Sequence, residues 1–350
     1  MARMPASRTL TRKPNSQTRP MAWKGKSFVP QPTWSASRDQ QLQSCERKYY
    51  FQYHAGGRLN ADDAWQREVG LLKKLKTVPM WQGECVHWAI AQCLGQWKSD
   101  ARPDHASLQR SLQQKIDTDW AFSAARKFRT DPWLIDKAGV ALLEHEYGEM
   151  PAEISAATVF AAASQSFARF LDWAEGAGAL PEKIRMADRI WIEPQSFGAE
   201  APGFMIDSVQ VLTKVDFACE RVGVSFDIYD WKTGAAPRSN TSFLTSNELQ
   251  IAIYQLWPQR GMNVPVDQIS SRLVYLGGDG VAERPFKLDD DNTAAVLFSI
   301  ESSIRLARRW EEFFSSSSWR ADDLSYAASP KTCKTCGFKG ICRESLSLPS

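Results

Sequence analysis

Long apolar runs are missing from this chain: no segment is long and hydrophobic enough to cross a bilayer, and no secretory leader is visible. A membrane-spanning or exported protein is not expected. Net charge is nearly missing too, at +3 from 43 basic and 40 acidic residues, and by itself says little about nucleic acid. The distribution says more. No acid precedes Asp39, whereas Arg3, Arg8, Arg12, Lys13, Arg19, Lys24 and Lys26 make the opening basic, and Pro5, Pro14 and Pro20 oppose a long helix there. Residues 1–32 read as a flexible basic arm that meets phosphates without reading sequence. An acid-free, Arg-rich start is also the composition of a mitochondrial transit segment, although the prolines oppose the amphipathic helix such a segment needs. The expected setting is cytoplasmic, bacterial or phage-encoded, with the mitochondrion as the alternative. No internal repeat is found, and 350 residues with 43% apolar content suit one large domain, 33–345, carrying a helical insertion at about 100–180.

Histidine is what the C-terminal cysteines lack. Cys333, Cys336 and Cys342, in KTCKTCGFKGIC within the segment 330–345, have no imidazole near enough to close a zinc finger, so a fourth ligand has to come from far along the chain. Four thiolates would suit structural Zn²⁺. Disulfides fit poorly with the reducing compartment expected. Cys85, Cys93 and Cys219 sit in apolar helix or strand patterns and read as core.

The stretch richest in chemistry is FDIYDWKTG, residues 226–234. Side chains alternate along a strand with period two, so Asp230 and Lys232 emerge from one face and Trp231 from the other. VQVLTKVDFACE, 209–220, also reads as a strand, and Arg221, Val222 and Gly223 form a short connection, so the pair reads as an antiparallel hairpin. With the turn centred near Val222, Asp216 falls opposite Ile228 and diagonal to Asp230. Two carboxylates and a lysine then converge on one face. Parity sends Asp227 to the other face and rejects it as the second ligand, while Asp207, in GFMIDSVQ, remains the rival to Asp216.

These residues resemble the PD-(D/E)XK nuclease superfamily, and within it the RecB-type nuclease domain. The resemblance implies an α/β fold, a mixed central β-sheet flanked by helices, with metal-dependent phosphodiester hydrolysis at Asp216, Asp230 and Lys232. The superfamily's frequent Gly three residues before the first Asp is Thr213 here. WQGECVHWAIAQCLGQW, 81–97, has Val86, Ile90, Cys93, Leu94 and Trp97 at helical spacing with His87 beside the stripe, and its G-x-x-x-H resembles the family's histidine motif. The implied metal ligands are His87, Asp216, Asp230 and Trp231, the metal being Mg²⁺ or Mn²⁺. TSNELQIAIYQLW, 245–257, reads as a helix with Gln250 and Tyr254 on one face, which resembles the family's Q-x-x-x-Y motif lining the site.

The Ser-rich entry before Cys45, in WSASRDQQLQSCERKYYFQY, resembles the opening of the iron-sulfur branch of RecB-type nucleases, which includes AddB and the CRISPR-adaptation nucleases. There one early Cys joins three late ones to hold a 4Fe-4S cluster. By resemblance Cys45, Cys333, Cys336 and Cys342 hold such a cluster, an iron-sulfur staple joining the two ends of the domain. The implied activity is DNA cleavage, favouring single strands and free ends, in repair, recombination or defence, with a helicase or CRISPR integrase as partner. The alternative is a DNA-binding scaffold that kept the fold and lost catalysis. Trp120, Phe122, Arg126, Lys127, Phe128 and Arg129 in the insertion mix aromatic and basic side chains suited to a single strand, or else are core and solvated helix face.

Overall fold

The computed structural model of the chain describes residues 33–194, 201–237, 246–316 and 323–342. The basic arm 1–32 and Thr245 lie outside them. In chain order the elements are β1 (Thr33–Trp34), α1 (Ala36–Ser44), α2 (Glu46–Tyr53), α3 (Ala64–Leu72), α4 (Val78–Lys98), α5 (His105–Ala124), α6 (Lys127–Thr130), α7 (Leu143–Tyr147), α8 (Ala156–Glu175) and α9 (Leu180–Met186). They continue as β2 (Arg189–Ile192), β3 (Gly203–Ile206), β4 (Val209–Leu212), β5 (Phe217–Arg221), β6 (Ser225–Lys232), α10 (Ser246–Gly261), β7 (Ile269–Tyr275), β8 (Ala282–Phe286), α11 (Asp290–Ser315) and α12 (Pro330–Lys334).

The central sheet is mixed, in the order β2-β5-β6-β7-β8, with β6 and β7 parallel and the other pairs antiparallel. A parallel pair needs a long crossover, and α10 supplies it. Alternation along β6 gives each face its own core. Tyr229 and Trp231 pack with Val86, Ile90 and Leu94 of α4 and Phe167 and Phe170 of α8. Phe226 and Ile228 pack with Ile251, Ile253 and Leu256 of α10 and Ile300 of α11. Each such fully buried side chain contributes roughly 1.5–3 kcal/mol. The strand is buried on both faces, which is why its apolar run is almost continuous.

Two sequence expectations are corrected. The run 209–220 is not one strand: β4 joins a separate small sheet ordered β1-β4-β3, and β5 joins the central one. Thr213 and Val215, both fully buried, anchor the crossing between sheets, so the apolar pattern continues while the pairing changes. The hairpin turn centres on Gly223, whose φ of 73° is open to glycine at no steric cost, rather than on Val222. Phe217 pairs with Tyr229 and Ala218 with Ile228, so continuing the register sets Asp216 opposite Asp230 instead of Ile228. The shift is two residues in the pairing sum, and the shared face of 216, 230 and 232 survives it.

Helices α5 to α8 fill most of 105–175, and most of the aromatic and basic mixture there is structural. Phe122 and Phe128 are buried in a third core. Trp120 packs on Trp81 and His145, and Arg129 is held between Glu68 and Glu146, with Arg126 also on Glu146.

Candidate metal centre and active site

β2 and β5 stop side by side, and the residues just beyond them are Glu193 and Asp216. Glu193 has φ +37°, sparsely populated for a residue with a Cβ, and its N–H donates to the Asp216 carbonyl at 2.9 Å. His87 reaches the same point from α4. Its Nδ1 lies 3.3 Å from Asp216 Oδ1 and 3.5 Å from Glu193 Oε1. Among the described residues, His87, Glu193 and Asp216 form the one group of three or more potential metal donors whose ligand atoms all lie within 4.8 Å of one another. Thr77 caps the start of α4, accepting from the Met80 N–H, and one turn before His87 a Cβ on Gly83 would meet Thr233 Oγ1 at 3.5 Å. The helix thus runs close along the end of β6.

Asp216 Oδ2 accepts the Trp231 backbone N–H at 2.8 Å. Burial would raise this carboxyl, but His87, that N–H and Lys232 outweigh it and hold it below the usual carboxylate range. Asp230 goes the other way: burial, then the charge of Asp216, push it up to about 7, against the pull of Lys232 and His87. Lys232 Nζ stands 2.7 Å from Asp230 Oδ2 as an ion pair, yet that buried oxygen has no hydrogen bond of proper angle. Burial works against a charge on His87, but Asp216 and Glu193 push it up to about 10. An imidazole held protonated by two carboxylates, and a buried carboxyl kept from ionising fully by its neighbour, are what a cation replacing those protons would relieve.

Lys232 is held by a directed chain. Its Nζ donates to Gln250 Oε1 at 2.9 Å, Gln250 Nε2 donates to the Tyr254 hydroxyl at 2.6 Å, and that hydroxyl donates to the Lys214 carbonyl. Burial and the charges of Asp230 and Asp216 raise Tyr254 well above its ordinary value, so it stays a neutral donor. Four residues apart, Gln250 and Tyr254 share a face of α10, and their chain fixes both the lysine and the loop that carries Asp216. His87, Glu193, Lys214, Asp216, Asp230, Lys232 and Gln250 line one cleft of about 610 Å³, with Tyr254 behind Gln250.

Trp231 lines the cleft only through its backbone. Its indole is 1% exposed and packed against Phe170, Trp173 and Tyr229, which leaves its carbonyl as the sole oxygen it can offer a metal. Asp207 sits in the exposed turn between β3 and β4 at φ 50° and does not line the cleft. Asp227, as parity required, is elsewhere, bound to Lys183 and Ser270 at 2.8 Å each. Among the cleft residues not foreseen, two carry charge beside the donors. Glu193 carried one sequence signal, an acid closing the strand RIWIE just before Pro194; Lys214, exposed and lining the cleft, carried none.

The four cysteines singled out at the two ends, Cys45, Cys333, Cys336 and Cys342, line a second cavity of about 470 Å³. Cys45 Sγ caps α2 by accepting the Lys48 N–H at 3.4 Å, and burial raises the thiols of Cys336 and Cys342. A closed Cys₄ zinc site would bring sulfurs within about 4 Å of each other, given Zn–S bonds of ~2.3 Å. Among the described residues these thiols form no group of three or more donor atoms within 4.8 Å of one another. Cys85, Cys93 and Cys219 are buried core residues, as their patterns predicted.

Hard carboxylate oxygens with one imidazole, beside a lysine at the end of a mixed sheet, have the donor chemistry of a divalent-cation hydrolytic centre. Residues 33–343 match the family model of the PD-(D/E)XK nuclease superfamily, and the chain belongs to that superfamily. Metal-dependent nuclease activity is what that membership supports. No curated protein matches the chain. Among solved structures it is similar to one titled "Crystal structure of SSO0001", at 15% identity, covering 57% of this chain and 78% of that one, with a TM-score of 0.28. So loose a likeness carries no argument. Among the described residues no helix is long and apolar enough to cross a membrane.

Proposed function

We propose that the protein is a Mg²⁺- or Mn²⁺-dependent deoxyribonuclease acting on single-stranded DNA ends. The observation that carries the reading is the meeting, in one cleft, of the His87, Glu193 and Asp216 trio with the Asp230–Lys232 pair. His87, Glu193, Asp216, Asp230 and the Trp231 carbonyl are the groups that would hold the metal. A bound divalent cation supplies charge neutralisation at the phosphate and a nucleophilic water at neutral pH. Lys232, held by Gln250, which Tyr254 holds in turn, presents an ammonium to the attacking water or to the phosphate oxygens as charge builds on them. Lys214, on the same cleft, offers a second cation for the flanking backbone.

Cys45, Cys333, Cys336 and Cys342 are proposed to hold a 4Fe-4S cluster, a reading supported by the resemblance of their spacing in the sequence and by the cavity they share. Such a nuclease would trim or select DNA for a partner helicase or CRISPR integrase, in repair, recombination or defence. The test is cleavage of end-labelled single-stranded DNA by anaerobically purified protein with Mn²⁺, Mg²⁺ or EDTA, beside Lys232→Ala, with an absorbance scan for the broad iron-sulfur band. Metal-dependent cutting that the variant lacks supports the reading. Equal cutting by both proteins, or tight DNA binding without cutting, overturns it, the latter in favour of a scaffold.

A further inference from the structure

α4 separates two cavities. Met80, Gly83 and His87 line the active cleft, Trp81 and Trp88 line a neighbouring cavity of about 520 Å³, and Glu84 lines both. The second cavity is therefore one side chain away from the metal donors. Two of its three lysines are paired in place: Lys76 with Glu84 at 2.7 Å and with Asp136 at 3.3 Å, and Lys115 with Asp119 at 3.0 Å, while Lys137 has no ion pair among the described residues. Lys76 and Lys115, neutralised in this way, are poor phosphate ligands. What the cavity does offer is an aromatic wall together with the amide of Gln114 and the hydroxyls of Ser111 and Thr118.

The two tryptophans differ. Trp81 is 1% exposed and its indole N–H is bound to Asp119 at 2.9 Å, so it is part of the floor. Trp88 packs only partly against the core. Apart from the Lys115 ammonium, 6.0 Å from its ring centroid, Trp88 has no ring or hydrogen-bond partner among the described residues. A half-buried aromatic with a free N–H, in a polar cavity lined by as many acids as lysines, suits a nucleobase better than a phosphodiester.

We infer that this cavity is a base-binding subsite, in which Trp88 stacks on a nucleobase of the substrate strand close to the phosphate in the cleft, the strand crossing α4 over Glu84. The inference rests on the nuclease reading and adds to it a recognition point on the face of α4 adjoining the one that carries the metal donor His87. Gln114, Ser111 and Thr118 supply both donors and acceptors, so the edge of any base finds a partner there.

The test measures fluorescence anisotropy of labelled oligothymidylate in Ca²⁺ for wild type, Trp88→Leu, Trp88→Phe and Gln114→Ala, repeated with oligonucleotides carrying a single abasic position moved along the strand. Stacking of one base corresponds to roughly a tenfold change in Kd. Wild type is expected to lose about that factor when one position, near the mapped cut, is abasic. Trp88→Leu is expected to lose it on intact DNA and nothing more on that abasic strand, while Trp88→Phe retains most of the binding and Gln114→Ala falls between. Thermal melting of each variant reports folding. Protein that cuts but shows no position-specific abasic effect, or a Trp88→Leu loss that simply adds to it, overturns the subsite and leaves the nuclease reading standing. Protein that neither binds nor cuts overturns both.

Discussion

Lys232 is 22% exposed at its side chain and has two partners, Asp230 and Gln250, neither of which depends on it for packing. Lys232→Ala is therefore expected to leave the melting temperature close to wild type while lowering the cleavage rate by at least about 10²-fold, the scale of losing one preorganised donor. His54 gives the opposite kind of experiment, on stability alone. Its Nε2 is buried with no hydrogen-bond partner, its ring lies 4.5 Å from that of Phe314, and burial, then the charges of Arg38 and Lys73, lower it to about 4. The unfolded chain, with an ordinary histidine near 6.5, binds the proton first. This contribution is complete above pH 6.5 and is lost as pH falls towards 4. Urea unfolding of His54→Asn is expected to show a shallower decline between pH 7 and 4.5 than wild type; parallel declines would refute the assignment.

Among the elements, α4 has the most varied duties, since its faces serve the core, the metal donors and the neighbouring cavity. Gly83 is where it comes nearest the end of β6, with room for a methyl group but with the cleft beyond. Gly83→Ala is expected to fold and cut, gaining up to about 1 kcal/mol of helix propensity. Gly83→Leu is expected to fold as well yet cut at least tenfold more slowly, because its side chain projects into the cleft; end-labelled DNA assays beside melting curves separate the two effects. Periodicity made this helix and β6 legible from the sequence, because a period of 3.6 or 2 fixes which side chains share a face whatever the surroundings. It could not show that 209–220 divides between two sheets, since Thr213 and Val215 are buried on either pairing and the pattern is the same. Nor could it locate the turn to the residue, because centring on 222 or 223 preserves parity. Glu193 stayed hidden for a related reason: its place depends on where β2 ends relative to β5, a long-range register that no local spacing records.

At the scale of the molecule, the segment holding Cys333 to Cys342 is tied back to the insertion. The Tyr147 hydroxyl donates to the Gly337 carbonyl and accepts the Gly340 N–H, and Lys339 pairs with Glu149. With Cys45 on the same cavity, a group bound by the four thiols would close a loop of nearly the whole described domain, a constraint worth on the order of 5 kcal/mol in chain entropy. Cys45→Ser is expected to abolish the broad visible absorbance and to lower the melting temperature of the as-purified protein by several degrees. A variant that keeps both the colour and the stability would remove Cys45 from the ligand set.

The donors of the cleft are spread along the chain from His87 through Glu193 and Asp216 to Asp230, and the lysine's supports, Gln250 and Tyr254, come later still. During synthesis the metal donors cannot meet until β6 has left the ribosome, nor can the lysine be aligned before α10 follows it. The cysteine segment emerges last of these. A chain that stops short of β6 therefore cannot cut nucleic acid, even where its basic opening can bind it, and the order of residues itself restrains cleavage until assembly is nearly complete.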